Sequence, residues 1–180
     1  MTSPDPTATG TTAELASLTG TWELDPPSTS IEFQTKALWI MKVKGTAKPL
    51  IGGGAVGDDG NVSGRFVVDV KSVDTNNQKR DAHLQSEDFF DAAKYPTIEF
   101  ELSSLRFLSP GRVELKGNLS IHGQSQPISV PADVEINGSS ATLATEIDID
   151  RSVWGISWAK MGAGLKNKVV IKAKFNKTAS

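Results

Sequence analysis

The sequence predicts an all-β domain, and three features of the chain favour that fold class. Its 180 residues include 16 glycines and 9 prolines, which are typical of many short segments joined by turns. Apolar residues recur at every second position, as in Ile31 and Phe33 or Phe66 and Val68, which is the pattern of half-buried strands. Short polar links that contain glycine, such as Asn137 to Ser139, separate these runs and indicate tight hairpins.

The alternating runs follow one another along the chain with a single interruption. Their first apolar residues are Ile31, Phe66, Ile98, Val113, Ile128, Leu143 and Val169. The segment from Asn76 to Ala93 breaks the alternation, and Gln78 to Leu84 predicts about two helical turns before Pro96 restarts extended chain. Roughly eight strands with one short helical insertion either close into a barrel or pack as a sandwich, and the patterning leaves both open.

The N-terminal residues differ in composition from the rest of the chain. Met1 to Thr12 is rich in Thr, Pro, Ser and Gly, so residues 1–18 are predicted to be a disordered tail, followed by one folded domain over 19–177. Met1 to Ser17 has neither the basic start nor the apolar middle of a secretory leader, so we expect a cytoplasmic protein. Since no run approaches the roughly 20 apolar residues that span a bilayer, we also expect it to be soluble.

Charge and composition exclude several kinds of partner. The net charge is −2 at pH 7, and the basic residues are scattered among acids, which argues against a nucleic-acid partner. The chain has no cysteine and only two histidines, His83 and His122, whereas a zinc site needs three or four protein ligands. We therefore predict no metal site and no cofactor, and we favour a structural role in fixing turns for both histidines.

Three polar motifs have a functional and a structural interpretation. Arg80 and Asp81 would either position an anionic head group or brace a helical turn. Asp148 and Asp150 lie on the same face of a strand, which suits either a cation site or a solvated edge of the sheet. The segment from Gly162 to Lys166 would cradle a phosphate, but it lacks the strand-to-helix context of such loops. The structural interpretation is favoured for each motif, so no residue is assigned a catalytic role.

Several separated motifs resemble the YceI-like family in order and spacing. They are Ser72 to Thr75, Arg80 to Leu84, Asp88 to Asp91, Lys94 to Phe100, Gly117 to Gly123 and Asp150 to Ile156. With the opening segment, the likeness covers nearly everything from about Trp22 to Phe175. The resemblance implies an eight-stranded antiparallel, lipocalin-like barrel whose apolar tunnel holds a polyisoprenoid or another long-chain lipid, and a binding protein rather than an enzyme.

If the barrel holds a lipid, the inward faces of its strands and the apolar residues near its mouth are the expected contacts. For Trp154, Trp158 and Met161, simple core packing is an equally good interpretation. The predicted tunnel lining is Ile31, Phe33, Trp39, Met41, Phe66, Val68, Phe100, Leu115, Leu119, Ile147, Trp154, Trp158 and Met161. A structural or stress-related interaction protein with a filled barrel would use similar residues, and so remains an alternative. An enzyme that uses the barrel cavity is disfavoured, because the predicted inward positions are mostly aliphatic.

One region departs from the family pattern. The family commonly has a His-Ser near the first strand and a His before a Val-x-Gly-x-Phe run, and this chain has no histidine at either place. Period-two geometry puts Trp39 and Met41 on one strand face and Ile40 on the other. An inward Trp39 would shorten the accepted chain, whereas an outward Trp39 would mark a homodimer contact or a point of transient membrane contact.

Overall fold

The computed structural model describes residues 14–38 and 40–178, and for Met161 it describes the backbone alone. Within these residues nine strands form one antiparallel sheet. They are β1 (Gly20–Leu24), β2 (Ser30–Ala37), β3 (Met41–Val56), β4 (Val62–Asp74), β5 (Thr97–Ser109), β6 (Arg112–Ile121), β7 (Gln124–Asn137), β8 (Ser140–Asp150) and β9 (Lys166–Lys177). The helical insertion predicted between the strands is α1 (Gln78–Gln85), and short 3₁₀ turns lie at Pro26–Ser28, Arg151–Trp154 and Lys160–Gly162.

The nine strands fill eight positions around a closed barrel. Strands β1 and β2 both pair with β3 and β9, β1 near one end of the barrel and β2 towards the other, so together they form one interrupted strand. The sheet runs from this position through β9, β8, β7, β6, β5 and β4, and pairing of β4 with β3 completes the circle. The predicted eight-stranded antiparallel barrel is confirmed, and its closure removes exposed sheet edges.

One end of the barrel, called the closed end here, contains the β5–β6 and β7–β8 hairpins. A helical turn at 14–17 lies across it, with Leu18 buried among Trp22, Phe107 and Val113. The Trp22 indole N–H donates to the Leu18 carbonyl at 2.7 Å. Residues 14–18 were expected in the tail and instead belong to the fold, because the leucines of this turn find apolar surface there. The rest of the predicted tail, 1–13, lies outside the described residues.

The opposite end, called the helical end here, carries α1 and the 3₁₀ turns Arg151–Trp154 and Lys160–Gly162. The Asn77 side chain caps α1 by accepting the Arg80 backbone N–H at 3.0 Å, which satisfies a donor that the first helical turn leaves free. The buried cluster at this end consists of Phe89, Leu119, Ile121, Trp154 and Ile156. None of the helices in the described ranges has the length and hydrophobicity needed to cross a bilayer.

Candidate functional site

The barrel encloses a cavity of about 640 Å³, which is within the roughly 300–1,000 Å³ range of ligand pockets. It extends from Leu18 and Trp22 at the closed end to Trp158 and Ala163 at the helical end. Most of its wall is aliphatic or aromatic, and no Asp or Glu belongs to the wall within the described residues. The site is therefore a long apolar space rather than a polar cleft.

Ten of the thirteen predicted lining residues lie on this wall. They are Ile31, Phe33, Met41, Phe66, Val68, Phe100, Leu115, Leu119, Ile147 and Trp158. Most of them occupy alternate positions on their strands, because successive side chains of a strand point to opposite faces. That these side chains contact a ligand stays a prediction.

The other three predicted lining residues have different outcomes. Trp154 is not on the wall: it is 4 % exposed, packs in the cluster at the helical end, and donates its indole N–H to the Leu119 carbonyl at 2.8 Å. It lies in a 3₁₀ turn, where strand alternation gives no information about facing. Trp39 and the side chain of Met161 lie outside the described part of the chain.

Strand β9 contributes a row of wall residues that the sequence interpretation left out. Val169, Ile171, Ala173 and Phe175 line the cavity, while the intervening Val170 does not. The same alternation that identified β9 as a strand would have identified this row. Thr35, Thr145 and Asn167 add polar side chains that an aliphatic pattern could not single out.

Two phenylalanine rings on the wall lie over glycines of neighbouring strands. Phe33 pairs directly with Gly45, and a methyl group on Gly45 would collide with the Phe33 ring. Phe100 lies over Gly117, where an added Cβ atom would be 2.9 Å from the Phe100 Cζ and closer still to the Glu101 carbonyl oxygen. Because these glycines have no side chain, each ring has room to settle against the barrel wall, which leaves more of the lumen open.

A buried arginine organises the helical end. Arg151 is 6 % exposed, and its guanidinium donates to the carbonyls of Gly164 at 3.1 Å, Ile156 at 2.9 Å and Trp158 at 2.6 Å. The guanidinium carbon also lies 5.0 Å from the centre of the Phe89 ring. Since Arg151 lies on the cavity wall, these bonds tie the segment 151–164 to the opening of the barrel.

The charge of Arg151 persists despite its burial. Burial lowers the pKa of the guanidinium, and the negative charge of Asp150 partly offsets this effect. An arginine side chain nevertheless stays protonated in proteins. Sequence analysis recognised the motif that contains Arg151 but not its function, because its three acceptors lie up to 13 residues away along the chain.

The Arg80 and Asp81 motif braces the start of α1. Arg80 donates from Nε to the Thr75 hydroxyl at 2.8 Å and from Nη2 to the Thr75 carbonyl at 2.7 Å. Asp81 accepts from the Thr75 hydroxyl at 2.6 Å and from its backbone N–H at 3.0 Å. The structural interpretation of this motif agrees with these bonds, although Arg80 also reaches the cavity wall.

The remaining polar candidates also have local partners. Asp150 accepts from the Ser152 hydroxyl and backbone N–H, and these bonds lower the pKa of its carboxyl. The Gly164 N–H donates to the Lys36 carbonyl at 2.7 Å, so this amide of the glycine-containing loop is not free for a phosphate. Across the described ranges, no three His, Asp or Glu side chains converge as metal ligands would.

The two histidines occupy different places. His83 lies on the cavity wall, with its Nε2 2.9 Å from an Asp88 carboxylate oxygen and its ring edge-on to Phe89 and Trp158. His122 lies in the β6–β7 turn with a φ of 54°, a left-handed conformation that suits a tight hairpin. His83 is therefore closer to the site than its sequence interpretation as a turn residue implied.

The amino-acid sequence is similar to those of several curated bacterial proteins. A UPF0312 protein of Vibrio cholerae is 36 % identical over 107 residues, which cover 58 % of this chain and 56 % of that protein. A UPF0312 protein of Vibrio vulnificus is 32 % identical over the same length. The match thus spans only a little over half the length of these curated relatives.

Solved structures with the same fold extend further along the chain. Burkholderia cenocepacia BcnA matches with a TM-score of 0.75 and 20 % identity, covering 84 % of this chain and 98 % of BcnA. A polyisoprenoid binding domain from Saccharophagus degradans matches with a TM-score of 0.71 and 13 % identity over 87 % of this chain and 98 % of that domain. The family model of the YceI-like domain matches residues 22–176, so the chain belongs to the YceI-like family.

Proposed function

We propose that the barrel binds the apolar chain of a lipid, a polyisoprenoid, and that it stores, transports or sequesters this lipid. The observation that carries the proposal is the apolar cavity of about 640 Å³ along the barrel interior. A structural protein with a filled barrel would have side chains in this volume, so the open lumen favours a binding function. The similar domain from Saccharophagus degradans, which is described as polyisoprenoid-binding, supports the choice of chain.

The energetics of such a ligand depend mainly on burial. Each methylene group removed from water contributes about 0.8 kcal/mol, so one five-carbon isoprene unit contributes on the order of 4 kcal/mol. Association costs about 4–15 kcal/mol, which a few enclosed units offset. Affinity is therefore expected to rise with chain length until the chain fills the cavity, and length becomes the basis of selection.

The wall also favours one orientation of the ligand. Its basic residues at the helical end are Lys36, Arg80, His83, Arg151 and Lys160. The remaining basic residue of the described wall, Arg65, pairs with Glu99, and the closed end is apolar around Leu18 and Trp22. No carboxylate belongs to the described part of the wall, so a cationic head group would find no counter-charge there. We expect a neutral or anionic head group at the helical end, with the chain pointing to the closed end.

A binding role without catalysis is part of the same proposal. Three of the five basic wall residues at the helical end already have partners: Arg151 and Arg80 bind carbonyls, and His83 faces Asp88. The His83 ring also contacts the aromatic rings of Phe89 and Trp158, which supply no nucleophile. These contacts favour holding a ligand over transforming it.

Native mass spectrometry of freshly purified protein, followed by lipid extraction, tests the proposal. We expect a bound lipid, or uptake of prenyl probes by the empty protein. Val169→Trp, on the wall, should block long probes, whereas Val170→Trp, on the outer face of the same strand, should not. Absence of a bound lipid together with no uptake of prenyl or acyl probes would refute the function.

Two further expectations belong with this proposal and stay predictions. A cytoplasmic location is tested by cell fractionation, and recovery of the protein outside the cytoplasm would contradict it. A homodimer is tested by the mass of the intact protein in solution, which should be close to twice the 19.2 kDa of one chain.

A further inference from the structure

We propose that the tip of the β2–β3 hairpin docks on the surface of an anionic lipid bilayer. The hairpin tip, defined here as Leu38, Ile40 and Met41, exposes large apolar side chains: Leu38 is 47 % exposed, Ile40 87 % and Met41 50 %. Strands β2 and β3 pair up to Ala37 and Met41, while β4 joins β3 only from Thr46 onward. The tip therefore extends beyond the part of the barrel that β4 covers.

Lysines flank the apolar tip. Residues 33–45 contain three lysines and no acid, and Lys36, Lys42 and Lys44 are all exposed. None of the three forms an ion pair with another described residue. Lys36 lies directly opposite Lys42 in the hairpin, a like-charge pairing that disfavours the folded hairpin and that an anionic surface would relieve.

The hairpin tip also lies at the opening of the cavity. Leu38 and Met41 are both exposed to solvent and part of the cavity wall, so the lumen reaches the surface beside them. Lys160, another exposed residue of the wall, adds a positive charge at the same end. A bilayer that contacts the tip would face the opening through which a lipid enters.

The chemistry of the tip fits a bilayer better than a second copy of the chain. Three protruding side chains offer much less than the roughly 800 Å² per partner of a standard protein interface. A two-fold symmetric contact would also bring the lysines of one copy against those of the other. At an anionic bilayer, in contrast, apolar side chains enter the boundary between head groups and acyl chains while lysines lie near phosphates.

Co-sedimentation of the full chain with vesicles tests the proposal. We expect binding to vesicles of phosphatidylcholine mixed with phosphatidylglycerol, much weaker binding to phosphatidylcholine alone, and loss of binding as salt screens the lysines. Ile40→Asp should weaken binding at least tenfold, roughly what moving one large apolar side chain out of the interface predicts. Leu108→Asp is the matched control, because Leu108 is 46 % exposed on the β5–β6 hairpin at the closed end, and it should bind normally.

Two lysine substitutions, one at the hairpin tip and one elsewhere, test the electrostatic contribution to vesicle binding separately. Lys42→Gln should lower the partition coefficient about fivefold, as expected for one charge near an anionic surface. Lys172 is an exposed lysine on the outer face of β9, opposite Ser30, and Lys172→Gln should leave the partition coefficient unchanged. Because vesicle binding is measured without a cargo, its failure would leave the proposed lipid-binding function standing.

Three results would overturn the docking proposal. The first is equal binding of the wild type to both kinds of vesicle, and the second is unchanged binding by Ile40→Asp. The third is conversion of a dimer to a monomer by Ile40→Asp in analytical ultracentrifugation, which would show that a second copy of the chain covers the hairpin tip.

Discussion

Both ends of the barrel have a buried apolar cluster, but among the described residues only the helical end adds a buried charged side chain. At the closed end, Leu18, Trp22, Phe107 and Val113 bury apolar surface in one cluster. At the helical end, the Arg151 guanidinium binds three backbone carbonyls of the segment that frames the cavity. Burial is non-directional, whereas hydrogen bonds fix geometry. Apolar packing therefore closes one end of the barrel, whereas hydrogen bonds fix the shape of the opening at the other end.

The largest effect is expected at the closed end. Trp22→Ala removes a side chain that is 7 % exposed, and we expect a loss of about 3–5 kcal/mol in the free energy of unfolding. Because the cluster joins strands from both sides of the barrel, amide exchange should accelerate in all strands. Urea denaturation and hydrogen exchange measure both effects, and a change confined to residues near Trp22 would contradict the comparison.

A smaller and more local effect is expected at the helical end. Arg151→Met leaves carbonyls of Gly164, Ile156 and Trp158 without their donor, which should cost about 3 kcal/mol. Amide exchange should rise mainly in the segment 151–164, and prenyl probes should bind less tightly.

A matched arginine controls for the loss of charge. Arg112→Met removes an exposed guanidinium that pairs with Asp133, and the change in stability should stay below about 1 kcal/mol. Equal effects of the two substitutions would mean that Arg151 acts through its charge alone and not through its hydrogen bonds.

Between the two ends, a substitution is expected to affect ligand binding more clearly than stability. Gly45→Ala places a methyl group against Phe33 and pushes the ring into the lumen, at a cost of about 1–3 kcal/mol. We expect at least tenfold weaker binding of long prenyl probes, since a few methylenes lose their space. The double variant with Phe33→Leu should recover binding, and a failure to recover would show that the glycine serves only the backbone.

The sequence predicted the facing of strand residues better than the way in which the barrel is closed at its ends. In a regular strand, alternation correctly predicts which residues face the interior, as it does for Ile31 and Phe33. The same alternation occurs in a barrel and in a sandwich, so the pattern could not distinguish these two folds. Leu15 and Leu18 were assigned to a tail on the composition of the N-terminal residues, because the apolar cluster that receives these two leucines exists only once the barrel has formed.

Residues in irregular segments were the least predictable. Trp154 was expected on the wall, but its facing depends on a 3₁₀ turn and on a hydrogen bond to Leu119, which lies 35 residues earlier. The contacts of Arg151 are likewise set by the path of the following loop. Such contacts follow from the tertiary fold, and neither a local period nor the residue type encodes them.

The pairing of the first and last strands has a consequence for biosynthesis. Trp22 pairs with Lys177, and the Thr178 N–H donates to the Thr21 carbonyl at 2.8 Å, so the barrel closes through residues that are more than 150 positions apart. Such non-local pairing is slow, and it cannot begin until β9 has left the ribosome. Until then β2 and β8 lack their shared neighbour and the interior is open along one side. Loading of a lipid is therefore expected only after β9 has been synthesised.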